Sequence, residues 1–190
     1  MQFTASRLEI PDLILVRPRR LEDPRGYFME TYRASVFAEL GISATFVQDN
    51  QAASRASGTI RGLHFQRPPH AQAKLIWVQR GAIFDVAVDL RRNSPTFGKW
   101  AAASLTSAGE QLYVPRGFAH GYCTLETDTE VAYKCDRYYS AEADGGILFS
   151  DPDIGIDWPV SDEAALLSDR DRNLPCLKDI EPAFTVETSP

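Results

Sequence analysis

A histidine, a phenol and a carboxylate in three separate motifs are the residues of this chain best suited to proton transfer. His64 lies in Arg61-Gly-Leu-His-Phe-Gln66, Tyr133 in Glu130-Val-Ala-Tyr-Lys134, and Asp171 closes Leu167-Ser-Asp-Arg-Asp171. Together they could take a proton from one face of a carbon atom and return one to the other face, with the carboxylate holding the imidazole. No comparable carboxylate motif accompanies the other two histidines, so His64 is predicted to be the base.

Each of the three residues also has a purely structural interpretation. His64 could be a hydrogen-bonded strand histidine, and Tyr133 a half-buried core tyrosine. Ser168 and Asp171 have the spacing of a helix capping pair, although Arg172-Asn-Leu-Pro175 would end such a helix at once. These residues alone leave both interpretations open.

Metal binding is the other chemistry that the histidines of a small β-protein suggest. His64, His70 and His120 form no His-x-His pair, and Gln66 stands where a second histidine would be. This spacing does not match a compact ligand set, so no metal is expected.

The composition is that of a globular protein, with 44% hydrophobic and 24% charged residues. A net charge of −6 without a basic block argues against nucleic-acid binding. Three cysteines without a CxxC pair fit reduced thiols. The apolar run Leu13–Val16 is too short for a signal peptide or a membrane span. We therefore expect a cytoplasmic protein with no membrane partner.

Scattered prolines and glycines divide the chain into short strand-like runs, which predicts a single all-β domain over residues 1–190, an antiparallel sandwich or barrel. The predicted strands are Ala44–Gln48, Lys74–Gln79, Ala82–Leu90, Lys99–Leu105, Gln111–Val114, Gly121–Thr124 and Thr129–Asp136. Short helices are predicted at Ser35–Leu40, before Gly41, and at Ser161–Leu167.

The run from Lys74 to Asp89 is predicted to be a β-hairpin. In its second half Phe84, Val86 and Val88 share an apolar face, whereas Asp85 and Asp89 share the opposite face. The acidic face could line a polar cavity or face solvent, and the pattern favours neither.

Seven motifs of the chain resemble those of the dTDP-4-dehydrorhamnose 3,5-epimerase family, in the same order and from about residue 10 to residue 175. They are Asp23-Pro-Arg-Gly-Tyr-Phe28, Phe46-Val-Gln-Asp-Asn50, Arg61-Gly-Leu-His-Phe-Gln66, Ser94-Pro-Thr-Phe-Gly98, Pro115-Arg-Gly-Phe-Ala-His-Gly121, Tyr133-Lys134 and Gly155-Ile-Asp-Trp-Pro159. The resemblance implies a cupin-type jelly roll that forms a homodimer. It also implies inversion at C3 and C5 of a dTDP-linked 4-keto-6-deoxy sugar without metal or organic cofactor, a step in dTDP-L-rhamnose synthesis.

The resemblance also assigns roles to individual residues. His64 would be the base, Asp171 its hydrogen-bonding partner and Tyr133 the proton donor. The implied substrate contacts are Lys74 near the keto oxygen, His120 at the sugar, Arg25 and Arg61 at the diphosphate, Gln48 and Asn50 at the nucleoside, and Glu30 near the thymine. The segment that holds Arg25 and Glu30 would reach the site of the neighbouring subunit.

Two expected contacts depart from the family pattern, with Asp144 in place of a glutamate and Arg170 in place of a lysine. Both substitutions keep the charge but change the reach of the side chain. Two alternatives to the full epimerase stay open: an enzyme that inverts a single carbon of a related sugar, and a non-catalytic cupin that binds sugar nucleotides.

Overall fold

The computed structural model describes residues 2–185 and shows two antiparallel β-sheets packed face to face. The six-stranded sheet has the order β1 (Phe3–Arg7), β2 (Ile14–Pro18), β10 (Gln111–Val114), β7 (Lys74–Arg80), β12 (Thr129–Cys135) and β5 (Gln48–Ser54). The five-stranded sheet has the order β13 (Asp144–Gly146), β6 (Ile60–Gln66), β11 (Phe118–Thr124), β8 (Ala82–Asp89) and β9 (Trp100–Thr106). Strands β3 (Arg20–Asp23) and β4 (Gly26–Met29) form a separate hairpin.

The main core lies between the two sheets and is built from inward-facing apolar residues of both. Ile76 and Val131 come from the six-stranded sheet, and Ile83, Ala87 and Leu105 from the five-stranded one. Val86 and Val88 point the other way, into a second buried cluster that includes Phe184. Strand β8 is therefore buried on both faces, and Asp85 and Asp89 are fully buried rather than solvent-facing.

Most predicted strands are confirmed, but the predicted hairpin from Lys74 to Asp89 is wrong. Strand β7 pairs with β10 and β12, whereas β8 pairs with β11 and β9 in the other sheet. The chain crosses between the sheets at Gly81, whose φ is +81° and where a Cβ atom would lie 2.4 Å from the Thr129 hydroxyl. Both edges of each strand are occupied, so the two consecutive strands do not pair with each other.

The predicted strand Ala44–Gln48 is also wrong. Residues 44–47 lie outside the strands, and β5 begins only at Gln48. Phe46 packs instead with Tyr32 beside the helix α1 (Ala34–Glu39). That helix confirms the prediction at Ser35–Leu40, and Gly41 follows it with a φ of +92°.

The predicted helix Ser161–Leu167 is wrong. The chain makes a turn in which the N–H groups of Ala164 and Ala165 donate to the Ser161 carbonyl. Leu166 then bridges the start of β6, because its N–H donates to Gly58 and its carbonyl accepts from Ile60. The second helix is the single turn α2 (Asp169–Arg172), and a 3₁₀ turn follows at Leu177–Asp179. No helix within residues 2–185 is long and apolar enough to cross a membrane.

Candidate active site

His64 and Asp171 form a hydrogen-bonded pair at one wall of the space between the sheets. The Nε2 atom of His64, on β6, lies 2.7 Å from the Oδ1 atom of Asp171. Burial raises the pKa of the Asp171 carboxyl, but the hydrogen bonds from His64 and from the Gly62 N–H bring it below its ordinary value. An ionised carboxylate only accepts, so Nε2 carries the hydrogen and Nδ1 is left with its lone pair. The pair therefore has the tautomer that a general base needs.

The one-turn helix α2 holds Asp171 in place. Ser168 caps this helix, because its hydroxyl accepts a 3.1 Å hydrogen bond from the Asp171 N–H. The helix ends at Arg172, as the following Asn-Leu-Pro sequence predicts. Asp171 thus belongs to a capped helical turn through its backbone, while its side chain bonds to His64.

His120 also has a carboxylate partner, although no sequence motif pointed to one. The His120 Nε2 atom lies 2.5 Å from the Asp85 Oδ1 atom, and both side chains are buried. Asp85 lies 35 residues earlier in sequence, on the neighbouring strand β8, where it is opposite Tyr122 and reaches His120 diagonally across the strand pair. This proximity arises from strand pairing and leaves no local motif.

Tyr133 and Lys74 reach the same space from the opposite sheet. Burial raises the pKa of the Tyr133 phenol, so it stays protonated at neutral pH. Burial lowers the pKa of the Lys74 ammonium, and within residues 2–185 no carboxylate lies within ion-pair distance of it. A phenol that can donate and an ammonium without a counter-ion thus face the imidazole.

A cavity of about 470 Å³ brings most of the predicted site residues together. Its lining includes His64, Asp171, Tyr133, Lys74, His120, Arg61 and Arg170. A cavity of about 360 Å³ shares His64, Lys74, Tyr133 and Arg170 with it and adds Gln48, Asn50 and Asp144. The two form one elongated cleft, which suits a ligand with several polar parts.

The two residues that depart from the family pattern contact each other. An Arg170 Nη2 atom lies 2.7 Å from the Asp144 Oδ2 atom, which also accepts a 3.1 Å hydrogen bond from the Tyr139 hydroxyl. Arginine has a longer reach than lysine, and aspartate is one methylene shorter than glutamate. In this chain the ion pair is formed by the shorter acid and the longer base.

Arg25 and Glu30 lie away from the cleft of their own chain. Arg25 is in the β3–β4 turn and pairs with Asp23, while Glu30 pairs with Arg33. The hairpin exposes the aromatic rings of Tyr27 and Phe28. Among the described residues of one chain, these are the two predicted contacts that the fold does not bring to the cleft.

Tyr122 lines the cleft but is absent from the sequence-based prediction. It lies two residues after His120 on β11, and residues two apart on a strand face the same side. This periodicity is the signal that could have identified it. Within residues 2–185, no three His, Cys, Asp or Glu side chains are grouped as a metal site would require.

The fold is a cupin-type jelly roll, and the cleft between its two sheets contains side chains that can donate and accept protons. Residues 7–179 match the family described as dTDP-4-dehydrorhamnose 3,5-epimerase. The chain belongs to this family.

Individual relatives align with this chain over nearly their whole length. The dTDP-4-dehydrorhamnose 3,5-epimerase of Sinorhizobium fredii is 48% identical, over 93% of this chain and 91% of the relative. The Bacillus anthracis enzyme, solved with TDP and PPi bound, is 49% identical with a TM-score of 0.88, covering 92% of this chain and 99% of that one. A Legionella pneumophila 3,5-epimerase in complex with dTDP-4-keto-L-rhamnose is 37% identical with a TM-score of 0.92, covering 98% and 100%.

Proposed function

We propose that this chain epimerises dTDP-4-dehydro-6-deoxy-D-glucose at C3 and C5 to dTDP-4-dehydro-L-rhamnose, a step in dTDP-L-rhamnose biosynthesis, without metal or organic cofactor. The observation that carries the proposal is the single cleft in which the His64–Asp171 pair and the protonated Tyr133 meet. Family membership supplies the substrate, and the cleft supplies groups that fit the chemistry.

Both carbons to be inverted flank the C4 ketone, so removing either proton gives an enolate. In the proposal the Nδ1 atom of His64 takes the proton, and Asp171 stabilises the imidazolium that forms. Lys74 can stabilise the charge that develops on the keto oxygen, because its ammonium lacks a protein counter-ion among the described residues. His120, fixed by Asp85, adds a further hydrogen-bonding group at the sugar.

Inversion requires that the proton return from the opposite face. His64 lies on β6 of the five-stranded sheet and Tyr133 on β12 of the six-stranded sheet. A sugar between the two sheets would have the base on one side and the phenol on the other. The raised pKa of Tyr133 favours its role as the acid.

The remaining cleft residues are proposed to hold the nucleotide. The Arg61 guanidinium is fixed by hydrogen bonds of 3.2 Å to the Ser54 hydroxyl and 3.0 Å to the Ala53 carbonyl, and its fork suits diphosphate oxygens. The Gln48 Nε2 atom donates a 3.1 Å hydrogen bond to the Asn50 Oδ1 atom, and both side chains are proposed to contact the nucleoside. Asp144 and Arg170 line the part of the cleft shared with these amides.

The proposed assembly is a homodimer in which the β3–β4 hairpin enters the partner's site. It would explain why Tyr27 and Phe28 are exposed in one chain and would bring Arg25 and Glu30 to a cleft. The three free cysteines, two of them buried, are in keeping with the proposed cytoplasmic location.

Incubation with dTDP-4-keto-6-deoxyglucose in deuterated water, followed by NMR, tests the proposal. We expect deuterium at both C3 and C5 together with the inverted product. Deuterium at one carbon alone would assign the chain to the single-position epimerases, and the absence of label would leave a non-catalytic sugar-nucleotide-binding protein.

A further inference from the structure

The phenol of Tyr122 is a buried polar group that the reaction described above does not use. Tyr122 is 4% exposed and belongs to the core cluster between the sheets. Its hydroxyl oxygen is buried and has no hydrogen-bond partner within residues 2–185. Buried hydroxyls are nearly always paired, because an unpaired one has lost its water without compensation. This unpaired hydroxyl therefore needs an explanation that the free protein does not provide.

The position of Tyr122 indicates what the missing partner is. Its ring lines the same cleft as Arg61 and Tyr133, and it follows His120 on the same face of β11. The ring of Tyr122 lies next to that of His120, with 6.4 Å between the two ring centroids. A ligand in the cleft would lie against this residue.

We propose that Tyr122 is a substrate-binding residue whose hydroxyl donates a hydrogen bond to an oxygen of the sugar–diphosphate part of the bound nucleotide sugar. This inference takes only the class of ligand, a nucleotide sugar, from the proposed function.

The electrostatic surroundings of Tyr122 fit a donor rather than an acceptor or a base. Burial raises the pKa of its phenol well above the ordinary value, which keeps the proton on the oxygen at any physiological pH. The sugar and diphosphate offer ketone, hydroxyl and phosphate oxygens, all of which accept hydrogen bonds. The Arg61 guanidinium lowers the pKa of this phenol, whereas Tyr133 and Asp85 raise it further, so burial and the nearby charges together keep the proton on the oxygen.

Tyr122→Phe is the decisive variant, because it removes only the hydroxyl. A tyrosine that served only the fold would lose stability on this change, whereas an unpaired hydroxyl leaves nothing broken behind. We expect the thermal midpoint of the free variant to be unchanged or higher. The affinity for dTDP-glucose, measured by calorimetry, should fall by about ten-fold, as for the loss of one hydrogen bond.

Two probes distinguish which oxygen is bound. If affinity for dTDP alone falls as much as that for dTDP-glucose, the hydroxyl contacts the diphosphate. If only dTDP-glucose is affected, it contacts the sugar. Tyr113→Phe is the matched control, since Tyr113 is a partly buried phenol outside the cleft, and it should change neither affinity.

The proposal is overturned if Tyr122→Phe binds both probes within about two-fold of the wild-type protein, or if it loses stability while keeping its affinity. The readout is binding, so failure of the epimerase proposal is separable from it. A wild-type protein that binds dTDP-glucose but incorporates no deuterium would refute the reaction and leave the role of Tyr122 standing.

Discussion

His64 and His120 are directly opposed on the paired strands β6 and β11, and each imidazole is held by its own carboxylate. The strands approach closely here because Gly62 and Gly121 face each other, and a Cβ atom on Gly62 would lie 2.5 Å from the Gly121 Cα atom. The two histidines differ in access: the side chain of His64 is 30% exposed and that of His120 is 8% exposed. Access therefore favours His64 as the base and leaves His120 as a fixed hydrogen-bonding group.

Replacing His64 by Asn should abolish deuterium exchange at both C3 and C5, because one base serves both deprotonations. A fall of at least about 10²-fold in exchange rate is expected, the lower end for a lost general base. His70→Asn is the matched control, since His70 is exposed and away from the cleft, and it should exchange normally. Near-normal turnover by the His64 variant would transfer the role of base to His120.

Asp171→Asn should lower the turnover number by about 10²–10⁴-fold, because the amide can no longer stabilise the imidazolium. Asp169→Asn is a control in the same helical turn, with an exposed side chain, and should retain activity within about two-fold. Equal activity of wild type and Asp171→Asn would show that the carboxylate does not support His64 in catalysis.

The same carboxylate predicts how stability depends on pH. The folded-state pKa of Asp171 lies below its ordinary value of about 3.9, so the unfolded chain binds more protons as the pH falls below that value. The stabilisation from Asp171 is complete above that pH and is lost as the pH falls through the folded-state pKa. Chemical unfolding curves recorded from about pH 6 down to about pH 2 should show this loss in the wild-type protein and not in Asp171→Asn.

Much of the fold was predictable from sequence because strand alternation and turn residues are local signals. The failures have a common physical origin in long-range pairing. The run from Lys74 to Asp89 has a hairpin pattern, but the free edges of both strands are taken by other strands. Ser161–Leu167 has a helical N-terminus, yet the backbone of Leu166 bonds to the start of β6.

In the candidate site, too, the features with a local sequence signal were predictable and those that depend on long-range pairing were not. The motifs around His64, Tyr133 and Asp171 are visible in the sequence, and the fold brings all three to one cleft. The Asp85–His120 pair and the unpaired hydroxyl of Tyr122 were not predicted, because each depends on how β8, β11 and the opposite sheet meet. Local patterns identify the residues of the site better than they identify their partners.

Lys74→Met should lower activity and stabilise the free protein. Burial lowers the folded-state pKa of Lys74 below its unfolded value of about 10.4, so folding is disfavoured wherever the lysine of the unfolded chain is protonated, neutral pH included. Between the two pKa values the unfolded chain binds more protons, so wild-type stability should rise with pH in that window. Activity should fall by about 10²–10³-fold, the effect of removing a group that stabilises an oxyanion.

Lys134→Met is the control for this experiment. Lys134 forms an ion pair with the largely exposed Asp49, and such pairs contribute at most about 1 kcal/mol. Urea denaturation should therefore show a higher free energy of unfolding for Lys74→Met than for the wild-type protein. For Lys134→Met the free energy of unfolding should change little or fall slightly. A clear loss of stability in Lys74→Met would mean that the ammonium has a stabilising partner.

Turnover should be indifferent to chelators, because the histidine spacing offers no compact ligand set and no three His, Cys, Asp or Glu side chains within residues 2–185 are grouped as a metal site would require. The measurement is the epimerisation rate before and after dialysis against EDTA. Loss of activity that one divalent ion restores would place the chain among metal-dependent cupins.

Tyr133→Phe separates the acid from the base. If Tyr133 only returns the proton, His64 can still remove protons from the substrate, and the enolate is then quenched from the wrong face or by solvent. Deuterium exchange should therefore outlast net inversion in this variant. The raised pKa of the Tyr133 phenol supports the expectation, because a phenol that stays protonated can donate but is a poor base. The measurement is the ratio of exchanged to epimerised sugar, with Tyr113→Phe as a control that should keep the wild-type ratio. If exchange and inversion disappear together, Tyr133 shapes the cleft and another group supplies the proton.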